Sequence, residues 1–334
     1  MNVGIVGVGK LGNYHCNAIT QLTQANLVGV YDTDGERCKK IAKTYRCKAF
    51  ESYEELLKHV DIVGVIVPTS FHLEVALAAI KAKKHVFVEK PIAENIDQAK
   101  RLVQLAKEEN VRLQVGHIER FNPAMLALND VFLQPMFIES HRLAPFVPRG
   151  TDVAVVLDLM IHDIDIILSM VKSDVKRVDA NGVAVVSDQI DIANTRLQFE
   201  NGCVANLTAS RISQKKMRKI RLFQRDAYIS VDFLQRSSEI IQLVDSDKDV
   251  TSNSMILGQI EQAKRKRQIL FNRLQIPQTD AMQEEWKHFF HAIKNQTKPV
   301  VSGEDGLKAL KVATQIVNII SQQFKTISPE DIDE

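Results

Sequence analysis

The chain lacks the features that mark a membrane or secreted protein. No apolar run approaches the length of a membrane-spanning helix, and the first residues already have the pattern of a core strand, without the basic flank or cleavage site of a secretory signal. The 4 cysteines show neither CxxC spacing nor paired histidines, so they indicate no disulfide framework and no zinc site. We therefore expect a cytoplasmic protein with free thiols, no bound metal and no membrane partner.

An excess of charge of one sign is also missing. The 43 basic and 41 acidic side chains leave a net charge of +2, which gives no overall footprint for nucleic acid. Two local basic runs occur at 215–219 and 264–267, and the second is either a solvated helix face or a contact for substrate phosphates. With 45% hydrophobic residues, a chain of 334 residues can form two globular domains.

Glycine is sparse, yet three glycines lie close together after the apolar stretch 3–6. Gly7 permits a tight strand-to-helix turn, Gly9 lets the backbone approach a pyrophosphate, and Gly12 lets the helix pack closely on the strand. Asp32 ends a second apolar run at the spacing expected for a carboxylate that accepts the ribose hydroxyls of adenosine. This pattern predicts a dinucleotide-binding Rossmann unit.

The surroundings of Asp32 bear on which dinucleotide binds. A carboxylate at this strand end repels a 2′-phosphate, and the following segment 33–35 offers no lysine or arginine to receive one. Arg37 lies close by in the sequence. We expect NAD as the cofactor, with NADP less favoured.

The pattern over residues 1–120 predicts a doubly wound parallel sheet, because short β-branched runs alternate with amphipathic helical stretches. We assign this segment to an NAD-binding Rossmann domain. The predicted strands lie near 2–6, 27–31, 62–67, 85–88 and 112–116, and the predicted helices near 10–23, 34–45, 52–59, 71–82 and 95–109.

Residues 121–334 have a different pattern, which predicts an α+β domain for substrate binding and oligomerisation. Consecutive strand-like runs joined by turn signals such as Asn181-Gly182 predict a largely antiparallel sheet. A polar, basic stretch near 246–275 separates this sheet from two closing helices. The predicted strands lie near 175–187, 190–199, 203–210, 218–223, 226–232 and 238–244, and the predicted helices near 153–171, 279–295 and 303–325.

Several polar residues directly follow predicted parallel strands, where open sheets of this kind bind their ligands. These segments are 68–70, 89–91 and 116–120. A lysine at such a strand end, here Lys90, can hydrogen-bond a substrate hydroxyl and stabilise the developing alkoxide, and Glu89 can fix its position. The alternative is a solvated lysine.

A second polar constellation interrupts the apolar helix near 153–171. Asp158 and His162 are four positions apart and share one face of an α-helix. A carboxylate beside an imidazole holds its orientation and raises its basicity, which suits a general base. The alternatives are a surface pair or two zinc ligands, although no third ligand is visible nearby.

The order and spacing of these motifs resemble the glucose-fructose oxidoreductase/inositol dehydrogenase (Gfo/Idh/MocA) family. The resemblance spans nearly the whole chain and depends on the glycine motif, Asp32, the 68–72 stretch, Glu89-Lys90-Pro91 and Asp158-x-x-x-His162. It implies that Lys90, Asp158 and His162 are catalytic and that Pro91 shapes the turn beside the nicotinamide. The expected cofactor contacts are Gly7, Gly9, Lys10, Leu11, Gly12, Asp32, Pro68, Thr69, His72, Glu89 and Lys90.

The segments 116–123 and 157–165 resemble a subgroup of this family that oxidises C3 of UDP-N-acetylglucosamine. The alternatives are a dehydrogenase of inositol, another polyol or another sugar, and a non-enzymatic, cofactor-sensing regulator. An antiparallel sheet with one apolar face uncovered also favours a homodimer or homotetramer. The expected substrate contacts are Lys90, Glu119, Arg120, Asn122, Arg142, Arg149 and His162.

Overall fold

A computed structural model describes residues 1–147, 152–245, 254–262 and 265–326. The chain divides into two compact units and contributes two segments to each of them. The first unit comprises Met1–Phe121 and Thr279–Lys311, and the second comprises Asn122–Gln278 and the chain from Val312 onward.

The first unit contains a six-stranded parallel sheet with the strand order β3-β2-β1-β4-β5-β6, which confirms the predicted Rossmann architecture. Its strands are β1 (Asn2–Val6), β2 (Asn26–Tyr31), β3 (Lys48–Ala49), β4 (Ile62–Val65), β5 (His85–Glu89) and β6 (Leu113–Gly116). Its first helices are α1 (Lys10–Thr20), α2 (Gly35–Tyr45), α3 (Tyr53–Leu57), α4 (His72–Lys81) and α5 (Ile96–Glu108), with 3-10 turns at Thr69–Phe71 and Ile118–Phe121.

Local sequence signals place these elements. All four residues of β4 are buried, as the continuous apolar run predicts for a central parallel strand. Helix α2 begins where the Asp34 carboxylate caps the backbone N–H of Arg37, and α5 begins where Asn95 caps Gln98. Among the strands of the first unit, the sequence pattern missed only β3, because a strand of two residues has no periodicity to recognise.

Helix α8 (Ala281–Lys294) belongs to the first unit, although we assigned the whole of 121–334 to the second domain. Trp286, Phe289 and Phe290 lie on the buried face of α8 and join the hydrophobic core that includes Ile5 and Phe87. The amphipathic pattern predicts the helix but carries no information about which core receives its apolar face. Helix α9 (Gly303–Thr326) starts in the first unit and continues into the second.

The second unit contains a nine-stranded sheet with the order β14-β15-β13-β12-β11-β7-β10-β9-β8. All neighbouring pairs are antiparallel except β10 and β7, which confirms a largely antiparallel sheet. In chain order, helix α6 (Pro123–Leu126) precedes the whole sheet and helix α7 (Ile161–Val171) follows its first strand. The strands are β7 (Phe137–Leu143), β8 (Val175–Val183), β9 (Ile192–Phe199), β10 (Val204–Ser210), β11 (Met217–Gln224), β12 (Ala227–Asp232), β13 (Ser237–Asp245), β14 (Ser254–Gln262) and β15 (Arg265–Arg273).

Three strands of this sheet were not predicted. Strand β7 lies between β10 and β11, and β14 and β15 form a hairpin in the stretch that we expected to separate the sheet from the closing helices. The interpretation of 264–267 as a helix face is therefore wrong. Arg267 instead lies on β15, where its guanidinium is 3.0 Å from Asp226 and 3.5 Å from Asp245. Ion pairs with the turn between β11 and β12 and with β13 thus account for Arg267.

The more exposed face of the second sheet is polar where β9 and β10 pair, whereas β14 exposes Met255, Ile256, Leu257 and Ile260. Asn194 donates to Thr208 and Arg196 donates to Asn206, with distances of 2.9 and 3.0 Å. Among the described residues, no helix is long and apolar enough to cross a membrane.

Candidate active site

Three glycines build the turn between β1 and α1, and each has a different requirement. Gly7 has a φ of +88°, in the left-handed region, and a Cβ there would overlap the carbonyl oxygen of Ile66. A Cβ on Gly12 would overlap the carbonyl oxygen of Gly7. Gly9, in contrast, has an ordinary φ of −61°, and a Cβ there would meet no protein atom within 4 Å. Packing within the protein thus explains Gly7 and Gly12 but leaves Gly9 unexplained.

Asp32 lies at the end of β2 beside this turn, and its carboxylate accepts four hydrogen bonds. The donors are the backbone N–H groups of Val8 (2.8 Å) and Asp34 (2.9 Å) and two nitrogens of the Arg37 guanidinium (3.2 and 2.8 Å). Burial by itself would raise the pKa of Asp32, but these hydrogen bonds more than offset it and hold the pKa below its ordinary value. The carboxylate is therefore an anion whose acceptor positions are shared with Arg37.

A cavity of about 460 Å³ opens beside Asp32, and sequence reasoning missed several residues of its wall. Tyr53 and Glu74 are neighbours in this wall, where the tyrosine hydroxyl donates to the carboxylate at 3.0 Å, and Phe71 is 52% exposed. The only sequence signal for Phe71 and Glu74 as wall residues was that they follow shortly after the end of a predicted strand. The wall combines apolar surface with two carboxylates, Asp32 and Glu74.

The remaining expected cofactor contacts near this edge differ in exposure. Lys10 and Leu11 are exposed at the start of α1, and Pro68 and Thr69 stand at the 3-10 turn after β4. His72 is instead buried, with Nε2 3.0 Å from the carbonyl oxygen of Val67 and Nδ1 2.9 Å from that of Pro91. Because its ring links the loops after β4 and β5 and is hidden from a ligand, its geometry does not support the expected direct contact.

Burial also affects the charge of His72. It lowers the pKa of the imidazole, although hydrogen bonds to the carbonyl oxygens of Pro91 and Val67 oppose this shift. The neutral ring has one N–H, so it donates to one of the two carbonyl groups at a time.

Lys90 directly follows β5 and is half-buried, and its peptide bond to Pro91 is cis. The carboxylate of Glu89 is buried behind it and accepts from the backbone N–H of Lys90 at 3.1 Å. His15, on α1, lies 2.9 Å from the other oxygen of that carboxylate. Glu89 is thus engaged by the protein on both oxygens.

Asp158 and His162 belong to the second unit and stand where a π-helical turn, Val156–Met160, leads into α7. The sequence pattern predicts one α-helix from about residue 153, so the helix differs from expectation at its start. Both side chains are half-buried, whereas their neighbours Met160 and Ile161 are buried. π-Turns inside helices frequently mark functional positions.

The expected substrate contacts fall into distinct environments. The Arg142 side chain is 3% exposed, and its guanidinium donates to both carboxylate oxygens of Asp163, the shortest distance being 2.7 Å. Asn122 caps α6 through Ala124 and donates to the carbonyl oxygen of Phe233. These contacts favour structural roles for Arg142 and Asn122. Glu119 is buried and Arg120 half-buried in the turn after β6, and Arg149 lies outside the described residues.

Comparison with protein families agrees with this architecture. A family profile described as an oxidoreductase family with an NAD-binding Rossmann fold matches residues 1–117, and a GFO/IDH/MocA C-terminal domain profile matches residues 136–230. The chain belongs to the Gfo/Idh/MocA oxidoreductase family. Membership confirms the resemblance seen in the motifs, the fold class and the dependence on a nicotinamide dinucleotide.

Members of the Gfo/Idh/MocA family with assigned activities cover nearly the whole chain. UDP-N-acetylglucosamine 3-dehydrogenase of Acidithiobacillus ferrooxidans is 36% identical over 317 residues, which are 95% of this chain and 96% of the relative. Its solved structure superposes with a TM-score of 0.85 at 34% identity, covering 96% of this chain and 98% of that one. Myo-inositol 2-dehydrogenase of Thermotoga maritima is 27% identical over 329 residues, 93% of each protein.

Proposed function

We propose that this protein is an NAD-dependent dehydrogenase that oxidises a secondary hydroxyl of a nucleotide sugar, namely C3 of UDP-N-acetylglucosamine. The observation that carries the proposal is the likeness to the UDP-N-acetylglucosamine 3-dehydrogenase of Acidithiobacillus ferrooxidans, which extends over 95% of this chain. The residues that the proposed reaction needs, Lys90, Asp158 and His162, are all present.

Gly9 supports a dinucleotide at the turn after β1. Neither its backbone angles nor neighbouring atoms require glycine, but a pyrophosphate approaching the backbone at the start of α1 would. Gly7, Gly9, Lys10, Leu11 and Gly12 would surround the pyrophosphate. Asp32 and the cavity beside it would hold the adenosine, and Pro68, Thr69 and Lys90 the nicotinamide half. Glu89, whose carboxylate oxygens are both engaged by the protein, would support Lys90 from behind.

The chemistry divides among three side chains. When bound, NAD accepts a hydride from the carbinol carbon. His162 takes the proton of the reacting hydroxyl as general base, and Asp158 orients its ring. Lys90 hydrogen-bonds the same oxygen and stabilises the negative charge that develops on it. Arg120 and Arg149 are proposed to contact the pyrophosphate of the substrate, because planar guanidinium groups suit two phosphates.

NAD is proposed over NADP because Asp32 and Glu74 line the adenosine cavity and Arg37 is held by Asp32. Replacing Asp32 by Ala removes a carboxylate that repels a 2′-phosphate and also releases Arg37 to bind one. We expect the preference for NADH over NADPH to fall by roughly tenfold or more, the scale of a charged hydrogen bond.

Fluorescence titration of both reduced cofactors measures this preference. The double variant D32A/R37A is the matched control, because it should lose the gain in NADPH affinity while keeping the loss in NADH affinity. An unchanged ratio of the two dissociation constants in D32A would contradict the assignment of Asp32.

A polyol dehydrogenase is the second candidate, since the myo-inositol 2-dehydrogenase of Thermotoga maritima also matches over 93% of this chain. Calorimetry with UDP, UDP-N-acetylglucosamine and myo-inositol, each in the presence of NADH, separates the two. The protein is then incubated with NAD and each substrate, and the formation of NADH is followed by its absorbance. Binding of myo-inositol without any response to UDP would overturn the nucleotide-sugar proposal.

A non-enzymatic, cofactor-sensing regulator is the third candidate, and the same incubation tests it. If NAD is bound but never reduced with any UDP-sugar or polyol, the regulator is favoured. We further propose that the second unit binds the sugar and carries the contacts of a homodimer or homotetramer, which sedimentation velocity measures directly.

A further inference from the structure

Three buried side chains connect α8 to the strand end that carries Lys90. Trp286 Nε1 donates to Nδ1 of His15 at 3.0 Å. The other imidazole nitrogen of His15, Nε2, lies 2.9 Å from Oε1 of Glu89. The other oxygen of Glu89 accepts from the backbone N–H of Lys90 at 3.1 Å. Hydrogen bonds thus run without interruption from α8, through α1, to Lys90.

The indole fixes which nitrogen of His15 carries the proton. An indole N–H can only donate, so Nδ1 must be an unprotonated acceptor and the ring proton lies on Nε2. Nε2–H then donates to Glu89. Burial by itself would raise the pKa of Glu89, but the hydrogen bonds from His15 and from the Lys90 backbone hold it below its ordinary value. The network therefore holds one buried carboxylate anion directly behind Lys90.

The surroundings leave this carboxylate little freedom. The ring of Phe87 stacks on Trp286 at a centroid distance of 4.6 Å and meets His15 edge-on at 5.2 Å. Gly116, on the neighbouring strand, makes room for the carboxyl group, because a Cβ there would lie 2.9 Å from its carbon and oxygen atoms. A polar network that is fully satisfied in a buried site specifies one geometry.

We propose that Trp286, His15 and Glu89 are positioning residues that fix the backbone and the electrostatic surroundings of Lys90. His15 lies on the helix that begins at the cofactor turn, so the same network ties that helix to the lysine. The inference rests on the role of Lys90 in the proposed function. A purely structural role would affect folding and cofactor affinity but would not affect the lysine selectively.

Two replacements of His15 separate these roles. Gln at position 15 can still donate to Glu89 and accept from the indole, whereas Leu can do neither. We expect His15→Leu to lower kcat with UDP-N-acetylglucosamine by roughly 10- to 100-fold, the scale of a misplaced catalytic group, while the Kd for NADH stays within about threefold. His15→Gln should restore kcat to within about threefold of the wild-type value.

Two readouts do not need the substrate. The chain has a single tryptophan, so one indole ¹H–¹⁵N resonance reports the bond to His15. That resonance should keep its hydrogen-bonded position in His15→Gln and move in His15→Leu. Mass spectrometry gives the rate at which acetic anhydride acetylates Lys90 relative to the exposed Lys39, and His15→Leu should change this ratio.

The outcomes distinguish the network from the proposed function. If His15→Leu retains wild-type kcat and the wild-type acetylation ratio while Lys90→Met is inactive, positioning is overturned and the proposed function stands. If the wild-type protein does not turn over UDP-N-acetylglucosamine, the proposed function fails, and if Lys90→Met keeps wild-type turnover, only the proposed role of Lys90 fails. In both cases the acetylation ratio and the indole resonance still decide the network. Should His15→Leu not fold, Trp286→Phe, which removes the N–H donor together with part of the buried ring, decides by the kcat and the acetylation ratio, with the Kd for NADH as the check that the core is intact.

Discussion

The two sheets bury their residues in different ways. Strands β4 and β6 of the first unit are buried at every position, as is typical of strands covered on both faces. Strands β7 and β9 of the second unit alternate between buried and more exposed residues. Polar groups of the parallel sheet can therefore reach a ligand only beyond the strand ends, whereas the second sheet offers polar side chains along a whole face.

The units also differ in how they accommodate charge. The first unit brings its backbone close to the proposed phosphate site through glycine, and the hydrogen-bond network of its buried Glu89 carboxylate ends at Lys90. The second unit buries charged pairs inside its core, with Arg142 against Asp163 and Arg211 against Asp191. Position after a strand thus identifies candidate site residues in the first sheet, whereas in the second unit a charged residue such as Arg142 can be part of the core.

The largest expected effect tests the buried pair of the second unit. Replacing Arg142 by Met leaves the Asp163 carboxylate buried without its partner, so we expect the free energy of unfolding to fall by about 3–5 kcal/mol. Urea denaturation measures it. The double variant R142M/D163L should recover most of the loss, and Arg177→Met, whose ion pair with Asp179 is exposed, should cost less than about 1 kcal/mol. A loss in R142M no larger than that in R177M would contradict burial as the cause.

The second prediction compares one residue from each unit. Replacing Lys90 by Met or His162 by Ala should lower kcat by roughly 100-fold or more, since each removes a group that acts on the reacting oxygen. The Kd for NADH should change little in either variant. Steady-state kinetics with UDP-N-acetylglucosamine measure this, with Lys39→Met as an exposed control. Near wild-type turnover in one variant would remove that residue from the proposed mechanism.

The third prediction concerns a loop of the second unit that one carboxylate organises. Asp191 is buried and accepts from the backbone N–H groups of Val185, Val186 and Ser187 and from the Ser187 hydroxyl. Burial by itself would raise its pKa, but these bonds lower the pKa to about 2. Asp191→Asn should therefore lower the free energy of unfolding by about 2 kcal/mol or more at neutral pH, since it also removes the carboxylate that lies 3.7 Å from the buried Arg211 guanidinium.

The pH dependence of this difference follows from the lowered pKa. The contribution of Asp191 is fully present above the pKa of an unfolded aspartate, about 3.9, and is lost as the pH falls toward 2. Unfolding curves of the wild-type protein and Asp191→Asn should thus converge below pH 4. Asp188→Asn, an exposed change in the same loop, is the control and should have no effect. A difference that is constant down to pH 2 would contradict the assignment.

The smallest expected changes separate two glycines of one turn. Gly12→Ala should lower the free energy of unfolding by about 1–3 kcal/mol, because its Cβ would overlap the carbonyl oxygen of Gly7. Gly9→Ala should change it by less than about 0.5 kcal/mol, as expected for a site without clashes. The Kd for NADH should nevertheless rise by roughly tenfold, about 1.4 kcal/mol. Unchanged NADH affinity in Gly9→Ala would contradict the proposed pyrophosphate site.

Local patterns predicted the first unit well because its functional residues are tied to single strand–helix turns. The glycine turn, Asp32 and Lys90 all stand at ends of strands that have continuous apolar runs. Strand β7 was missed because two of its buried positions carry the polar residues Ser140 and Arg142, and its partners β10 and β11 come more than sixty residues later. Arg142 was predicted as a substrate contact because the sequence does not indicate that Asp163, which lies on α7, is its partner.

The network behind Lys90 could not be predicted for the same reason. His15 and Trp286 are 271 positions apart, and neither stands in a motif that predicts a contact between them. The indole of Trp286 lies in the core, but its hydrogen bond depends on where α8 packs. Periodicity indicates which face of a helix is buried and gives no information about its polar partners.

The return of the chain to the first unit has a consequence for its synthesis. Residues 279–311, which supply Trp286, Phe289 and Phe290 to the first core, leave the ribosome only after all of 122–278. The nascent Rossmann sheet therefore has apolar surface uncovered while residues 122–278 are translated. Because exposed apolar surface promotes aggregation, we expect the nascent chain to be most prone to aggregation before residues 279–311 emerge and cover the first core.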